Sequence, residues 1–160
     1  VAVRRDFLSQ TLRLTVHEYE PWALWCTGDG ACFYINRDGR TIGNASPSDA
    51  RPLLSIASGA DASRAAGEDV IAPDTARAIQ ALVVAFAREN IGVSSLDARS
   101  EPALWFTTSA GWKIFADVHS EPERAGSNLA SLLGSLSDSE RARLDYIDVR
   151  LDDKGFYKLR

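Results

Sequence analysis

The chain has 160 residues, 45% of them hydrophobic and 25% charged, with a formal net charge of -4 at pH 7. These values place it among folded globular domains and exclude a disordered, collagen-like or disulfide-dense miniature protein. An acidic balance gives no broad basic face for nucleic acid. Apolar runs such as Ala81 to Phe86 fall far short of the ~20 residues a membrane helix needs. The sequence starts at Val1 and contains no Met. The expectation is a chain processed, excised or truncated at its start, which leaves room for a preceding targeting or anchoring segment.

In chain order, Val1 to Arg5 alternates, and Thr11 to Tyr19 places Leu12, Leu14 and Val16 on one side of a half-buried strand. Trp22 to Cys26 and Cys32 to Asn36 flank Thr27-Gly28-Asp29-Gly30-Ala31, which reads as a hairpin. Asp38-Gly39 signals a second turn, into a short strand near Arg40 to Ile42. From about Gly43 to Ala72 the chain is rich in Ala, Ser, Gly, Asp and Pro and reads as surface loop, with Leu53 to Ile56 a candidate strand.

A helix is expected from Pro73 to about Glu89, with Ile79, Leu82, Val83 and Phe86 as its buried stripe. Pro73 suits the first turn and Asp74 the positive end of the helix dipole. Strands are expected at Val93 to Ala98, Ala103 to Thr108 and Trp112 to Val118. Ser120 and Glu123 have capping-box spacing before a second helix, buried through Leu129, Leu132, Leu133 and Leu136. Leu144 to Leu151 and Phe156 to Arg160 read as closing strands around the turn Asp152-Asp153-Lys154-Gly155. No internal repeat is visible. The pattern predicts an α+β domain, a largely antiparallel sheet with two helices on one face, preceded by two strands of a smaller unit.

No catalytic constellation emerges. His17 and His119 stand far apart with no ligand-spaced partner, which predicts exposed titratable side chains and no metal or cofactor. Cys26 and Cys32 have the wrong spacing for a redox or zinc pair. Facing one another across a hairpin they come within disulfide reach, should the chain work outside the cytoplasm; otherwise they are two small buried side chains. A thiol nucleophile would need a base that cannot be pointed to. Trp22, Trp25, Trp105 and Trp112 are expected to pack in strands. The remaining candidate is the terminal strand. It either finishes the sheet or leaves an edge open to a partner's strand, with Lys158 and Arg160 discouraging promiscuous pairing.

Three segments, in order, resemble one family. Thr11 to Trp25 (TLRLTVHEYEPWALW), Cys32 to Gly43 (CFYINRDGRTIG) and Leu144 to Arg160 (LDYIDVRLDDKGFYKLR) are similar to the end of the POTRA domain and to the β domain of the bacterial cell-division protein FtsQ, called DivIB in Gram-positive bacteria. Tyr19 stands where that family usually has Arg. The resemblance implies residues 1–20 as a POTRA remnant and 21–160 as a β domain. It implies a non-enzymatic divisome scaffold, anchored in the cell membrane by a single absent span, with this region on the periplasmic side. Its partners would be FtsB and FtsL, with FtsB adding a strand to the C-terminal edge. Arg150 would face an acidic residue of FtsB, Leu151 would occupy an aromatic or apolar contact position, and Gly155, Phe156, Tyr157 and Lys158 would belong to the receiving strand. The alternatives are a POTRA-related role in secretion or outer-membrane assembly, and a thiol-dependent enzyme.

Overall fold

The computed structural model describes residues 2–6, 10–16, 18–45, 53–59, 67–99, 102–151 and 154–160. His17, Asp152, Asp153 and much of the expected loop between Gly43 and Ala72 lie outside the described residues.

Two strands, β1 (Ala2–Asp6) and β2 (Thr11–Thr15), form a sheet of their own. Their pairing sets Val3 opposite Leu14. Leu12, Leu14 and Val16, expected to be half-buried, are 60%, 56% and 56% exposed. The alternation is there, but no described element covers the apolar side, and two strands cannot bury both faces of their own ribbon.

The rest of the chain builds one mixed sheet. Its strands are β3 (Ala23–Cys26), β4 (Cys32–Ile35), β5 (Thr41–Asn44), β6 (Leu54–Ala57), β7 (Val93–Asp97), β8 (Ala103–Thr108), β9 (Lys113–Asp117), β10 (Leu144–Asp148) and β11 (Phe156–Leu159). Across the sheet the order is β11-β10-β9-β8-β7-β6-β3-β4-β5. Antiparallel pairs predominate, but β3 with β6, β6 with β7 and β9 with β10 are parallel. Helices α1 (Pro73–Arg88) and α2 (Pro122–Ser135) supply the crossovers for β6–β7 and β9–β10, and a short α3 (Asp138–Ala142) follows α2.

The helices cover one face. Ile79, Leu82 and Phe86 of α1 and Leu129 of α2 are fully buried against Ile56, Leu96, Leu104, Phe106, Ile114 and Ile147 of the strands. Each such side chain contributes about 1.5–3 kcal/mol by leaving water. Phe86 meets Phe106 edge to face at 5.4 Å. The helices approach closely because Gly126 faces Ala85, where a Cβ would stand 3.3 Å from the Ala85 carbonyl oxygen. The expected cap at Ser120 is not used. Its hydroxyl accepts the Asp117 N–H, and α2 opens from Glu121 with Pro122 in its first turn. The capping box stands instead at Ser137 and Glu140, opening α3. His119 lies exposed in the turn after β9 rather than on a strand. Trp22 and Trp112 flank strands, Trp25 and Trp112 are buried, and Trp105 is half-buried on the opposite face of the sheet.

The sheet contains a repeat that the sequence conceals. β6-α1-β7-β8 and β9-α2-β10-β11 each run strand, helix, parallel strand, antiparallel strand. The registers coincide. Ser55, Ile56 and Ala57 pair with Ser95, Leu96 and Asp97 as Lys113, Ile114 and Phe115 pair with Tyr146, Ile147 and Asp148. Both outer hairpins carry a bulge at the same place, Ser94 in one and Asp145 in the other. Even the flanking backbone bonds match. Ala98 N–H donates to the Ala57 carbonyl as Val149 N–H does to Phe115, and Ser109 N–H to Gly92 as Arg160 N–H to Arg143.

Candidate partner-binding edge

The chain's last strand ends the sheet. β11 pairs with β10 through Leu144–Leu159, Tyr146–Lys158, Ile147–Tyr157 and Asp148–Phe156, and no other described strand lies beyond it. Arg160 N–H donates to the Arg143 carbonyl at 2.8 Å, so the backbone of Arg160 turns toward β10. Strand alternation then turns Lys158 and Phe156 the same way, and directs the N–H and C=O of Tyr157 and Leu159 outward.

The opposite edge is treated differently. Thr41 N–H of β5 donates to the Glu68 carbonyl at 2.8 Å, and Gly67 N–H donates back to Thr41 at 2.7 Å. Arg40 and Asp69 form a bridge reinforced by an ion pair at 2.8 Å. Residues 67–69 therefore cover the Arg40–Thr41 end of that border, one way in which exposed sheet edges are protected.

Side chains on β11 divide by face. Leu159 packs on the core, Phe156 is 56% exposed and Tyr157 43% exposed. Lys158 Nζ sits 3.4 Å from Asp145 Oδ2 and 6.0 Å from the Tyr146 ring centroid. Arg160 also reaches Asp145, at 3.9 Å, and donates to the Gly111 carbonyl at 3.0 Å. The bulge at Asp145 thus gathers both cations that the terminal strand carries.

Gly155, expected to contact a partner, is a packing position. A Cβ there would stand 2.2 Å from Leu132 Cδ1 and 3.4 Å from the Asp148 carbonyl oxygen. The absent side chain lets the chain pass close to α2 and β10 before β11 begins. Leu151 is half-exposed at the surface, and its carbonyl accepts from Asn128 Nδ2 at 3.4 Å.

Arg150 is held within the chain. Its Nε and Nη2 donate to Asp148 Oδ1 and Oδ2 at 3.0 and 2.7 Å, and its backbone N–H reaches Oδ1 at 3.1 Å. Burial pushes the Asp148 carboxyl up, but the Arg150 side-chain and backbone hydrogen bonds and its charge together hold it below the usual range. The same guanidinium lies over Phe115, which stacks on Trp105 with centroids 4.1 Å apart. Tyr146 meets Trp105 edge-on at 5.6 Å. These contacts engage Nε and Nη2, so an incoming carboxylate would have to displace Asp148 or approach Nη1. On β7, Asp97 holds Arg99 in the same way, and that bond lowers the Asp97 carboxyl. The two clips bracket one cross-strand row, Asp97, Trp105, Phe115, Asp148 and Phe156. Asp148, Phe115 and Trp105 were not singled out as site residues. The recurring Asp-x-Arg of Leu96-Asp97-Ala98-Arg99 and Ile147-Asp148-Val149-Arg150 is the signal that points to Asp148, whereas Phe115 and Trp105 carry none.

Cys26 and Cys32 are bonded, directly opposite one another on β3 and β4 with Cα atoms 4.1 Å apart. The bond leaves neither sulfur as a thiol. Among the described residues no group of three His, Cys, Asp or Glu side chains is placed to hold a metal ion, and no helix is long and apolar enough to cross a membrane. No protein-family model and no curated protein matches the chain.

Proposed function

We propose that this chain is an extracytoplasmic scaffold domain of a bacterial cell-division protein of the FtsQ/DivIB type. It takes up a strand of the FtsB–FtsL complex along the outer edge of β11 and so links early and late septum-assembly proteins. One observation carries the reading. β11 ends the sheet with no described neighbour beyond it, while the edge at β5 is covered at its Thr41 end by Gly67 and Glu68. Strand addition needs such a border, where backbone bonds give affinity and side chains give selection.

Two further features support it. The Cys26–Cys32 bond suits an oxidising compartment such as the periplasm. The uncovered apolar side of the β1–β2 ribbon suits the end of a POTRA domain whose front half belongs to a longer, membrane-anchored protein. A role in secretion or outer-membrane assembly would rest on that ribbon alone.

The test is capture by an immobilised C-terminal segment of FtsB. The whole chain is retained, and a chain lacking Phe156 to Arg160 passes through. Equal retention of both would overturn the proposal.

A further inference from the structure

The internal repeat assigns a geometry to the open border. β11 occupies in the second unit the place that β8 occupies in the first: Trp105, Phe106, Thr107 and Thr108 correspond to Phe156, Tyr157, Lys158 and Leu159. The outer edge of β8 is not open. β9 runs antiparallel along it, with Lys113 opposite Thr107, Ile114 opposite Phe106, Phe115 opposite Trp105 and Ala116 opposite Leu104. Thr108 N–H, the counterpart of Leu159 N–H, donates to the Trp112 carbonyl across that junction at 2.9 Å. The chain thus contains one worked example of how this kind of edge is filled.

We infer that the strand received by β11 belongs to another protein and docks as β9 docks on β8: antiparallel, in the same register, and with a side-chain pattern that the register dictates. This rests on the edge-docking reading proposed above and adds to it the orientation, the register and the partner's side chains.

The pattern follows position by position. The residue opposite Lys158 takes the place of Lys113. A second cation there would face Lys158, which among the described residues shares the one carboxylate of Asp145 with Arg160, so the partner supplies a carboxylate. Opposite Tyr157 the partner takes the place of Ile114, on the face where Ile147 and Leu159 pack, and supplies a branched aliphatic side chain. Opposite Phe156 it takes the place of Phe115 and supplies an aromatic ring, which stacks on Phe156 as Phe115 stacks on Trp105. Opposite Gly155, already tight against Leu132, a small residue suffices. Opposite Lys154 a second carboxylate is favoured. From its N-terminus the partner reads acidic, aliphatic, aromatic, small, acidic. A second copy of this chain does not fit, because antiparallel pairing of β11 with itself about Tyr157 sets Lys154 against Arg160 and leaves Lys158 opposite Phe156, with no carboxylate side chain on either strand.

The probe is a peptide with Asp-Ile-Phe-Ala-Asp between short Gly-Ser flanks, tested on the whole chain. Pairs corresponding to Trp105–Phe115 and Thr107–Lys113 are the close, non-hydrogen-bonded kind, well placed for a cross-strand disulfide. A Lys158→Cys chain under oxidised glutathione is expected to cross-link to a peptide with Cys at the first Asp position, and not to one with Cys at the last. In the unaltered chain, the same peptide is expected to slow amide exchange at Tyr157 and Leu159. A Lys-Ile-Phe-Ala-Lys version is expected to bind about tenfold or more weakly.

Cross-linking at the last position, or equal binding of the Lys version, would overturn the inference. So would loss of exchange at Tyr157 with rising concentration of the chain alone, which would mean self-pairing. Should the peptide fail while an FtsB segment still protects Tyr157, the register code is wrong and the docking reading stands. Failure of both would remove the docking reading as well.

Discussion

The guanidinium of Arg150 lies 3.6 Å over the ring centroid of Phe115 while two of its nitrogens grip Asp148. One side chain therefore ties β10 to β9 on the face of the sheet that the helices leave uncovered. Arg150→Ala loses both contacts and is expected to destabilise the domain by roughly 1 kcal/mol, since a cation over an accessible ring contributes about that much. Arg150→Lys keeps the charge but not the flat two-point fork, and should recover only part of the loss. Urea midpoints of the two variants check this. Arg150→Glu sets a carboxylate beside Asp148 and should abolish capture of an FtsB segment, with the circular dichroism spectrum preserved.

Asp148 makes that arrangement sensitive to acid. Its carboxyl titrates lower in the folded chain than in the unfolded one, where an Asp titrates near about 3.9. The stability it contributes is complete above the unfolded value and is lost as pH falls through the lower folded value. Asp97, lowered by its bond to Arg99, adds to the same slope. Denaturation midpoints should fall below about pH 4, and Asp148→Asn should lower the midpoint near neutrality while converging on the parent curve in acid. Parallel curves would contradict it.

Gly155 offers a test of what positions the edge. Gly155→Ala drives a methyl group into Leu132 and should cost about 1–3 kcal/mol through overpacking. Pairing it with Leu132→Ala should return part of that cost, because the second change removes the clashing atoms. A double variant no more stable than the sum of the two single changes predicts would refute the contact as the cause. Gly155→Ala should also weaken partner capture, since β11 starts at the next residue.

The disulfide lies six strands away from β11 in the sheet order, at the β3–β4 hairpin. It closes a short loop that ladder bonds already hold. Replacing both Cys26 and Cys32 with Ser should cost about 2 kcal/mol, by the chain-entropy argument for a loop this small. Partner capture at β11 should not change. A lost partner would mean that the two ends of the sheet are coupled.

Local signals in the sequence were legible, and long-range ones were not. The α1 stripe of Ile79, Leu82 and Phe86 and the strand Ala103 to Thr108 follow from periodicity, because each reports its own burial at helix or strand spacing. The turn at Gly30, with φ +88°, and that at Gly39, with φ +81°, were likewise readable from residues that tolerate such backbone. The parallel pairing of β6 between β3 and β7 was not, since Leu54-Ser55-Ile56-Ala57 is short and its neighbours are far away in sequence. Coverage of Thr41 by Gly67 and Glu68 was not legible either, since these two residues follow an Ala-, Ser- and Gly-rich stretch that carries no periodic signal. The duplicated unit carries little sequence signal, because side chains outside Leu96-Asp97-Ala98-Arg99 and Ile147-Asp148-Val149-Arg150 diverge while backbone registers coincide. Arg150 was recognisable as a residue of interest, but its bond to Asp148 and its ring contact needed β9 and β10 side by side.

Amide hydrogen exchange along β11 probes the open border most directly. In the free chain, the N–H groups of Tyr157 and Leu159 should exchange fast, while those of Lys158 and Arg160, turned toward β10, exchange slowly. Adding the C-terminal segment of FtsB should slow Tyr157 and Leu159 by orders of magnitude and leave Thr41 at the other border unchanged. Protection of Tyr157 and Leu159 already in the free chain, or fast exchange there with the segment bound, would contradict strand uptake at this edge.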